Sequence, residues 1–258
     1  MKFCLNTDDI NYASPWHYNR ILSAMGLLDE TSDVALNICS IASKRMLRKK
    51  CTIYIEGDDF GIKGTNTNFY GEANIIYTYA KKYLHFYPEG TKLITGYFDP
   101  EWHYPRDVKK DHDYSFIASL RGDPVYDNRR ETLKRLQASK FTFLIKECNQ
   151  TEYPEQLSRG RIILNILPRK GEDASPNNRV FEGIACGTLM NDRDVVLDDL
   201  GLIPNVHYLP IERFGEDFSD EELARIHEQG RKFIVERYSY QGAIKTIIKD
   251  VKEFLSFY

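Results

Sequence analysis

The sequence predicts an α/β protein with parallel sheets, and two observations carry this prediction. Along the second half of the chain, short runs rich in β-branched and aromatic residues alternate with amphipathic stretches of helical period. Strands and helices in alternation form β–α–β units, whose strands pair in parallel and whose ligands bind at the carboxyl ends of the strands. A polar, proline-marked stretch at about residues 99–113 separates this half from the first. The 258 residues suffice for one large domain or two small ones, and this linker favours two.

The local pattern then predicts each element in order. In the first half, apolar runs and breakers predict strands at 2–6, 51–56 and 92–97, and helices at 12–28, 34–50 and 72–82. In the second half they predict strands at 114–120, 141–146, 162–167, 188–191 and 207–211. The intervening helices are expected at 128–138, 153–159, 176–186, 222–237 and 240–257. Three segments result: a short lobe at 1–105, a larger α/β domain at 106–240 and a C-terminal helix at 241–258.

Composition indicates the compartment and the class of partner. No apolar window approaches the roughly 20 residues that span a bilayer, and the first ten residues lack the apolar core of a signal peptide. The five cysteines show no Cys-x-x-Cys spacing, which disfavours a disulfide framework or a zinc site and favours a reducing cytoplasm. A net charge of −3 argues against binding long nucleic acid through its phosphates, although a local basic groove stays open. The basic clusters at 44–50 and 129–135 are predicted to be solvated helix faces.

The stretch from 161 to 194 concentrates the candidate chemistry. Its apolar strand ends at Pro168, and Ser175 with Pro176 provides an N-cap and a first turn for a helix that Gly187 ends. One face of this helix is apolar and is expected to pack on a sheet: Val180, Phe181, Ile184 and Ala185. The opposite face carries Arg179, Glu182, Gly183 and Cys186.

Two interpretations of this second face remain open. A cation, a carboxylate and a glycine near the positive end of a helix suit an anionic ligand. Gly183 would then allow close approach of the ligand, and Glu182 would accept hydrogen bonds from its hydroxyls. The alternative is a solvated ion pair between Arg179 and Glu182 on an ordinary surface helix. The local pattern favours neither.

Four blocks of residues keep a common order and spacing between about residues 97 and 245. They are Phe-Asp-Pro at 98–100, the strand DYSFIAS at 113–119 with Asn-Arg-Arg at 128–130, the run LSRGRIILN at 157–165, and the run RVFEGIACGT at 179–188. Together they resemble the nucleotide-sugar-binding domain of GT-B-fold glycosyltransferases, most closely the group related to the spore-maturation glycosyltransferases. The resemblance implies two Rossmann-like lobes, of which the N-terminal, acceptor-side lobe is reduced.

The resemblance also implies an activity. The expected reaction is transfer of a hexosyl or pentosyl group from a nucleoside-diphosphate sugar to an acceptor hydroxyl in the cleft between the lobes. The nucleotide sugar is then a co-substrate, and neither a cofactor nor a metal is expected. The identities of the base, the sugar and the acceptor, and the oligomeric state, do not follow from the resemblance.

The same resemblance assigns roles to residues. Glu182 is expected to bind the ribose hydroxyls, Arg179 and the backbone at 175–178 to lie near the diphosphate, and Arg121 to clamp a phosphate. The complete nucleotide-sugar set is Ser119, Arg121, Asp173, Ser175, Asn178, Arg179, Glu182 and Gly183. A catalytic base is expected among the following residues, with the pair that follows a clear strand preferred: Asp58, Asp59, Asp8 and His17.

Departures from the family pattern keep other functions open. Many retaining members have a second glutamate eight positions before the helix one, but Ala174 stands there, so the role of Asp173 and the stereochemical outcome stay open. The alternatives are a non-catalytic nucleotide or nucleotide-sugar binding module and a sugar transferase acting on modified DNA bases. Asp192-Arg193-Asp194 resembles an Asp-x-Asp metal motif, but its place after a predicted strand favours an ordinary loop.

Overall fold

The computed structural model describes residues 1–6, 13–39, 46–56, 67–79, 84–85, 87–120, 122, 124–167, 178–192, 195–198 and 200–257. The chain forms two compact units, one made of Met1–Tyr97 with Tyr238–Tyr258 and the other of Phe98–Arg237. The sequence places the boundaries at 105–106 and 240–241. In the structure, the C-terminal helix belongs to the first unit rather than standing apart.

The first unit is a parallel sheet with helices. Its strands are β1 (Cys4–Leu5), β2 (Val34–Cys39), β3 (Cys51–Glu56), β4 (Ile75–Thr78) and β5 (Lys92–Leu93). Its helices are α1 (Ala13–Ala24), a short 3-10 helix at Thr67–Glu72, and α7 (Tyr240–Ser256). Neighbouring strands follow chain order, β1-β2-β3-β4-β5, and every described pair is parallel. The core of this unit joins β1–β4 to α1 and α7.

Two predicted helices of the first half are wrong, because strands occupy their places. Residues 34–50 contain β2, and residues 72–82 contain β4. The side chains from Val34 to Ile38 and from Ile75 to Thr78 are all buried. A strand buried on both faces has no alternation of apolar and polar residues, so periodicity alone cannot distinguish it from a buried helix.

The second unit is also a parallel α/β structure. Its strands are β6 (His112–Ile117), β7 (Phe143–Lys146), β8 (Gly160–Asn165), β9 (Leu189–Asn191) and β10 (Leu209–Pro210). Its helices are α2 (Asp127–Gln137), α3 (Tyr153–Ser158), α4 (Asn178–Cys186), α5 (Val195–Asp198) and α6 (Asp220–Tyr238), with short 3-10 helices at Pro124–Tyr126 and Ile211–Arg213. All described strand pairs are parallel.

The order of strands in the second sheet reverses beside β6. The sheet order is β10-β9-β8-β6-β7, so the chain passes from β6 to β7 on one side and returns to β8 on the other. In open parallel sheets, ligands bind at such a switch point, in the crevice outside the carboxyl ends of the two strands. The crevice of this unit therefore lies beyond Ile117 and Asn165, the last residues of β6 and β8.

The predicted fold class is confirmed: the protein is α/β, with two parallel sheets flanked by helices. The predicted strand–helix alternation in the second half is confirmed from β6 to α6, and α5, between β9 and β10, is a further helix that the pattern did not predict. Among the described residues, no helix has the length and apolar character needed to cross a membrane.

Candidate functional site

Helix α4 packs closely on the strands that precede and follow it. It connects β8 to its parallel neighbour β9, so it runs antiparallel to both, and its N-terminus lies at their carboxyl ends. A Cβ atom on Gly183 would lie 2.6 Å from Cδ1 of Leu189, and one on Gly187 would lie 3.1 Å from Cδ1 of Ile163. The two glycines thus allow the helix to approach the sheet closely.

The predicted division of α4 into an apolar and an open polar face is only half right. The four apolar residues are buried as expected, but Glu182, Gly183 and Cys186 are buried too. Only Asn178 and Arg179, in the first turn, are partly exposed. The absence of a side chain at Gly183 therefore makes room for Leu189, a contact that the helical wheel could not show.

Glu182 lies in the interior of the unit, with 3% of its surface exposed. Burial raises the pKa of its carboxyl group to about 7, against the opposing effects of the nearby Arg179 charge and the nearby hydroxyl of Tyr153. The interpretation as a solvated surface ion pair is wrong, because the carboxyl group is removed from water. A carboxyl group at such a site changes charge near neutral pH.

A tight turn brings a histidine to the same carboxyl group. The His103 backbone N–H donates to the Asp99 carbonyl at 2.7 Å, and the Asp99 backbone N–H donates to Nδ1 of His103 at 3.2 Å. Nε2 of His103 lies 3.8 Å from Oε1 of Glu182. The Phe-Asp-Pro block at 98–100 thus begins a turn that aims His103 at the helix carboxylate.

Arg129 spans the switch point of the second sheet. Its Nε donates to the carbonyl of Ile166 at 2.9 Å and its Nη1 to the carbonyl of Ser119 at 3.1 Å, which joins the segments that follow β8 and β6. The side chain is 1% exposed. Its prediction as part of a solvated basic face is wrong, because a charge-rich segment does not reveal which cation turns inward. Arg130, next in the chain, is the partly exposed one and pairs with Asp127.

Amide side chains line the carboxyl ends of the neighbouring strands. Nδ2 of Asn165 donates to Oδ1 of Asn191 at 2.7 Å, and both residues are buried. Nδ2 of Asn128 donates to the carbonyl of Leu167 at 2.7 Å and to Oδ2 of Asp192 at 3.2 Å. The sequence reasoning missed these asparagines, although an asparagine at the end of an otherwise apolar strand is a signal that would have found Asn165.

The structure places six of the twelve predicted site residues. Five belong to the second unit, at the segment after β6 or on α4: Ser119, Asn178, Arg179, Glu182 and Gly183. His17 lies on α1 of the first unit, where its ring stacks on Tyr240 with 5.5 Å between centroids. The remaining candidates lie outside the described residues: Asp8, Asp58, Asp59, Arg121, Asp173 and Ser175. Of the Asp-x-Asp sequence only Asp192 is described, and it follows a strand as predicted.

The part of the chain that contains α4 is similar to a known protein family. Residues 129–249 match a family model described as glycosyl transferase-like. The match begins at Arg129 and includes β8, α4 and β9. Comparison with curated protein sequences gives no significant match.

Solved structures share the fold at low sequence identity. Sucrose-phosphate synthase from Thermosynechococcus elongatus superposes with a TM-score of 0.62 at 8% identity, over 93% of this chain and 77% of that one. An alpha-glucosyltransferase bound to UDP and a 13-mer DNA containing an HMU base gives a TM-score of 0.57 at 10% identity, over 88% and 82%. T4 phage beta-glucosyltransferase gives 0.51 at 14% identity, over 92% and 95%. At these identities the likeness establishes the GT-B type of fold alone.

Proposed function

We propose that the protein is a glycosyltransferase that moves a sugar from a nucleoside-diphosphate sugar to an acceptor hydroxyl. We also propose that it belongs to the group related to the spore-maturation glycosyltransferases, which its sequence resembles. One observation carries the proposal: α4 begins at the carboxyl ends of β8 and β9 and bears both Arg179 and Glu182. A helix N-terminus attracts phosphate, and a carboxylate one turn further along accepts hydrogen bonds from sugar hydroxyls. The glycosyl transferase-like match over this segment supports the same assignment.

In the proposed reaction the acceptor oxygen attacks the anomeric carbon of the donor sugar, and the bond from that carbon to the β-phosphate oxygen breaks. The nucleoside diphosphate leaves with the bonding electron pair, and the helix N-terminus with Arg179 and Arg121 stabilises its charge without a metal. The acceptor proton passes to one of the candidate bases, Asp58, Asp59, Asp8 or His17. Glu182 holds the ribose, with Ser119, Asp173, Ser175 and Asn178 around the donor.

The test is release of nucleoside diphosphate from a panel of UDP-, GDP-, ADP- and dTDP-sugars by the full chain, with binding measured by calorimetry. Glu182→Gln and Arg179→Met should each weaken nucleotide binding about tenfold or more, because each removes a charged partner of the ligand. Glu155→Gln and Arg225→Met, at exposed positions of the same unit, are the matched controls and should change affinity less than about twofold. If no nucleotide binds, or neither site variant changes affinity, the assignment fails.

A binding module without catalysis is the second candidate, and Ala174 at the place of a sugar-contacting glutamate favours it. The same experiment separates the two: a module binds the nucleotide but releases no diphosphate with any acceptor or by hydrolysis. The acceptor panel should include DNA containing an HMU base, because one structural neighbour is an alpha-glucosyltransferase in complex with such DNA. Transfer to that DNA alone would make the protein a DNA-base glycosyltransferase.

A further inference from the structure

The Glu182 carboxyl group lies among side chains from three separate segments of the second unit. Arg179 lies one turn earlier on the same helix, Tyr153 begins α3, and His103 ends the turn that starts at Asp99. We propose that His103 and Tyr153 are positioning residues that hold the Glu182 carboxylate ready to accept the two hydroxyls of a ribose diol. The inference rests on the proposed function and deepens it.

The backbone determines which nitrogen of His103 carries the proton. Because Nδ1 accepts the N–H of Asp99 at 3.2 Å, the neutral ring must carry its proton on Nε2. Nε2 is the nitrogen that faces Oε1 of Glu182, at 3.8 Å. The neutral imidazole therefore directs an N–H at the carboxyl oxygen, as a contact longer than a hydrogen bond but inside the protein interior, where such electrostatic interactions are strengthened.

Tyr153 provides a second donor that cannot lose its proton. Burial and the neighbouring Glu182 raise the pKa of its hydroxyl well above the ordinary value of 10. The hydroxyl therefore stays protonated at neutral pH, and its nearness lowers the pKa of the Glu182 carboxyl group. In the structure it makes no hydrogen bond to a described residue, so it can turn its proton toward the carboxylate when a ligand binds. The Tyr153 ring also stands edge-on to the His103 ring, with 6.4 Å between the centroids and 89° between the planes. Each ring therefore limits the movement of the other beside Glu182.

The Glu182 carboxylate keeps hydrogen-bonding capacity that a ligand can use. An ionised carboxylate accepts about four hydrogen bonds, and one hydroxyl and one ring N–H cannot satisfy all of them. Without these donors, burial favours the protonated carboxyl group, which has lost part of its accepting capacity. A vicinal diol such as the 2′,3′-hydroxyls of a ribose supplies two donors at the spacing of one carboxylate. His103 and Tyr153 thus act on the ligand through the charge and orientation of Glu182.

The test compares four variants of the full chain by calorimetric titration with whichever of UDP, GDP and ADP the wild type binds. dTDP lacks the 2′-hydroxyl, so a wild-type chain that binds dTDP as tightly as the ribonucleotides overturns the inference. His103→Phe removes the donor and should weaken binding about tenfold, whereas His103→Gln keeps an N–H donor and should stay within about threefold of wild type. Tyr153→Phe should weaken binding by about threefold to tenfold. The matched control is Tyr114→Phe, which should leave affinity unchanged. It removes a tyrosine hydroxyl that is hydrogen-bonded to the Gly215 backbone, on a side chain in the hydrophobic core of the same unit.

A double-variant cycle distinguishes positioning from general destabilisation. If His103 acts through Glu182, then His103→Phe combined with Glu182→Gln should bind no more weakly than Glu182→Gln alone. Additive losses, or an unchanged affinity in His103→Phe and Tyr153→Phe where Glu182→Gln is impaired, would overturn the inference and leave the proposed function standing. A wild-type chain that binds none of the four nucleotides overturns both. Should His103→Phe not fold, Tyr153→Phe paired with Glu182→Gln gives the same cycle.

Discussion

Each unit buries an asparagine in a parallel strand, Asn37 in the first and Asn165 in the second. The two side-chain amides differ in how much of their hydrogen-bonding capacity is satisfied. In the first unit, Asn37 of β2 accepts at Oδ1 from Asn6 at 3.1 Å and from the Leu47 N–H at 2.7 Å. Its Nδ2 donates to the carbonyls of Leu47 at 3.0 Å and Ile53 at 3.2 Å. In the second unit, Nδ2 of Asn165 donates to Asn191, while its buried Oδ1 has no hydrogen bond among the described residues.

This difference follows the topology of the two sheets. The described strands of the first sheet stand in chain order, whereas the second sheet reverses between β6 and β8. A reversal opens a crevice at the strand ends, and polar groups there retain bonding capacity that a ligand or water can use. The saturated amide of Asn37 is structural, whereas the polar groups at the ends of β8 and β9 belong to a candidate ligand site.

The largest expected effect comes from Asn37→Leu. The change leaves the Leu47 N–H and two carbonyls without their partner in the protein interior, so we expect a loss of about 4 kcal/mol in the free energy of unfolding. Asn165→Leu, a change of similar volume, should lower the free energy of unfolding by only about 1–2 kcal/mol, because it removes one side-chain hydrogen bond, the one to Asn191. Urea denaturation followed by circular dichroism measures both. Equal losses would contradict the distinction between a structural and a site amide.

Arg129→Met should have the next largest effect. We expect the free energy of unfolding to fall by about 3 kcal/mol, because two backbone carbonyls at the switch point lose a charged donor. Nucleotide affinity should fall as well, since the segments after β6 and β8 are no longer joined. Arg130→Met is the control, and we expect less than about 0.5 kcal/mol because its ion pair with Asp127 is partly exposed. The same urea titrations test the pair, and similar losses at both positions would show that the bridge is unimportant.

The two units should also differ in the sign of their pH dependence. The pKa of Glu182 is raised to about 7 by burial, so the folded chain keeps this proton where the unfolded chain has released it. Stability is therefore lost as pH rises from about 4.5 to 7, by roughly 2–3 kcal/mol. Glu182→Gln should remove this loss. Urea unfolding of both proteins at several pH values measures this difference. If the stability of Glu182→Gln depends on pH as strongly as that of the wild type, the pKa of Glu182 is not raised in the folded chain.

Asp250 of the first unit has the opposite behaviour. Burial works to raise the pKa of this carboxyl group, but hydrogen bonds from Tyr77, at 2.7 Å, and Lys92 lower it overall. Its contribution is present above the ordinary aspartate pKa and is lost as pH falls through the lowered value. Asp250→Asn should therefore flatten the acid side of the stability profile and lower the free energy of unfolding at neutral pH, where the wild-type carboxylate is ionised. Urea unfolding between pH 2 and 7 measures both effects.

Gly183→Ala should have the smallest effect, lowering the free energy of unfolding by about 1–2 kcal/mol. The new methyl group lies 2.6 Å from Leu189, which destabilises the core, whereas the higher helix propensity of alanine offsets part of that loss. Adding Leu189→Val should recover part of the loss by making room. Gly71→Ala in the first unit is the control, since a Cβ there meets nothing within 4 Å. If Gly183→Ala instead weakened nucleotide binding with no change in unfolding, the glycine would serve the ligand rather than the packing.

Local pattern predicted most of the second unit because its strands and helices alternate at regular spacing, each with its own breakers. It failed for β2 and β4, whose continuous burial leaves no period to detect. At the candidate site, Ser175–Pro176 and Gly187 predicted a helix over 176–186, and the structure describes it from Asn178 to Cys186; its predicted start lies outside the described residues. The burial of Glu182 was beyond the pattern, because its neighbours come from α3 and from the Asp99 turn.

The residue pattern alone predicted an α/β protein and placed a helix that carries Arg179 and Glu182 after the third strand of the second half. These properties depend on side-chain period and capping, which act over a few residues. The folded structure was needed to show that Arg129 bridges two strand ends, that Gly183 accommodates Leu189, and that His103 and Tyr153 lie beside Glu182. The contacts of Arg129 with Ile166 and of His103 and Tyr153 with Glu182 join residues far apart in the chain. Gly183 and Leu189 are close in the chain, but they meet only because α4 packs back on β9.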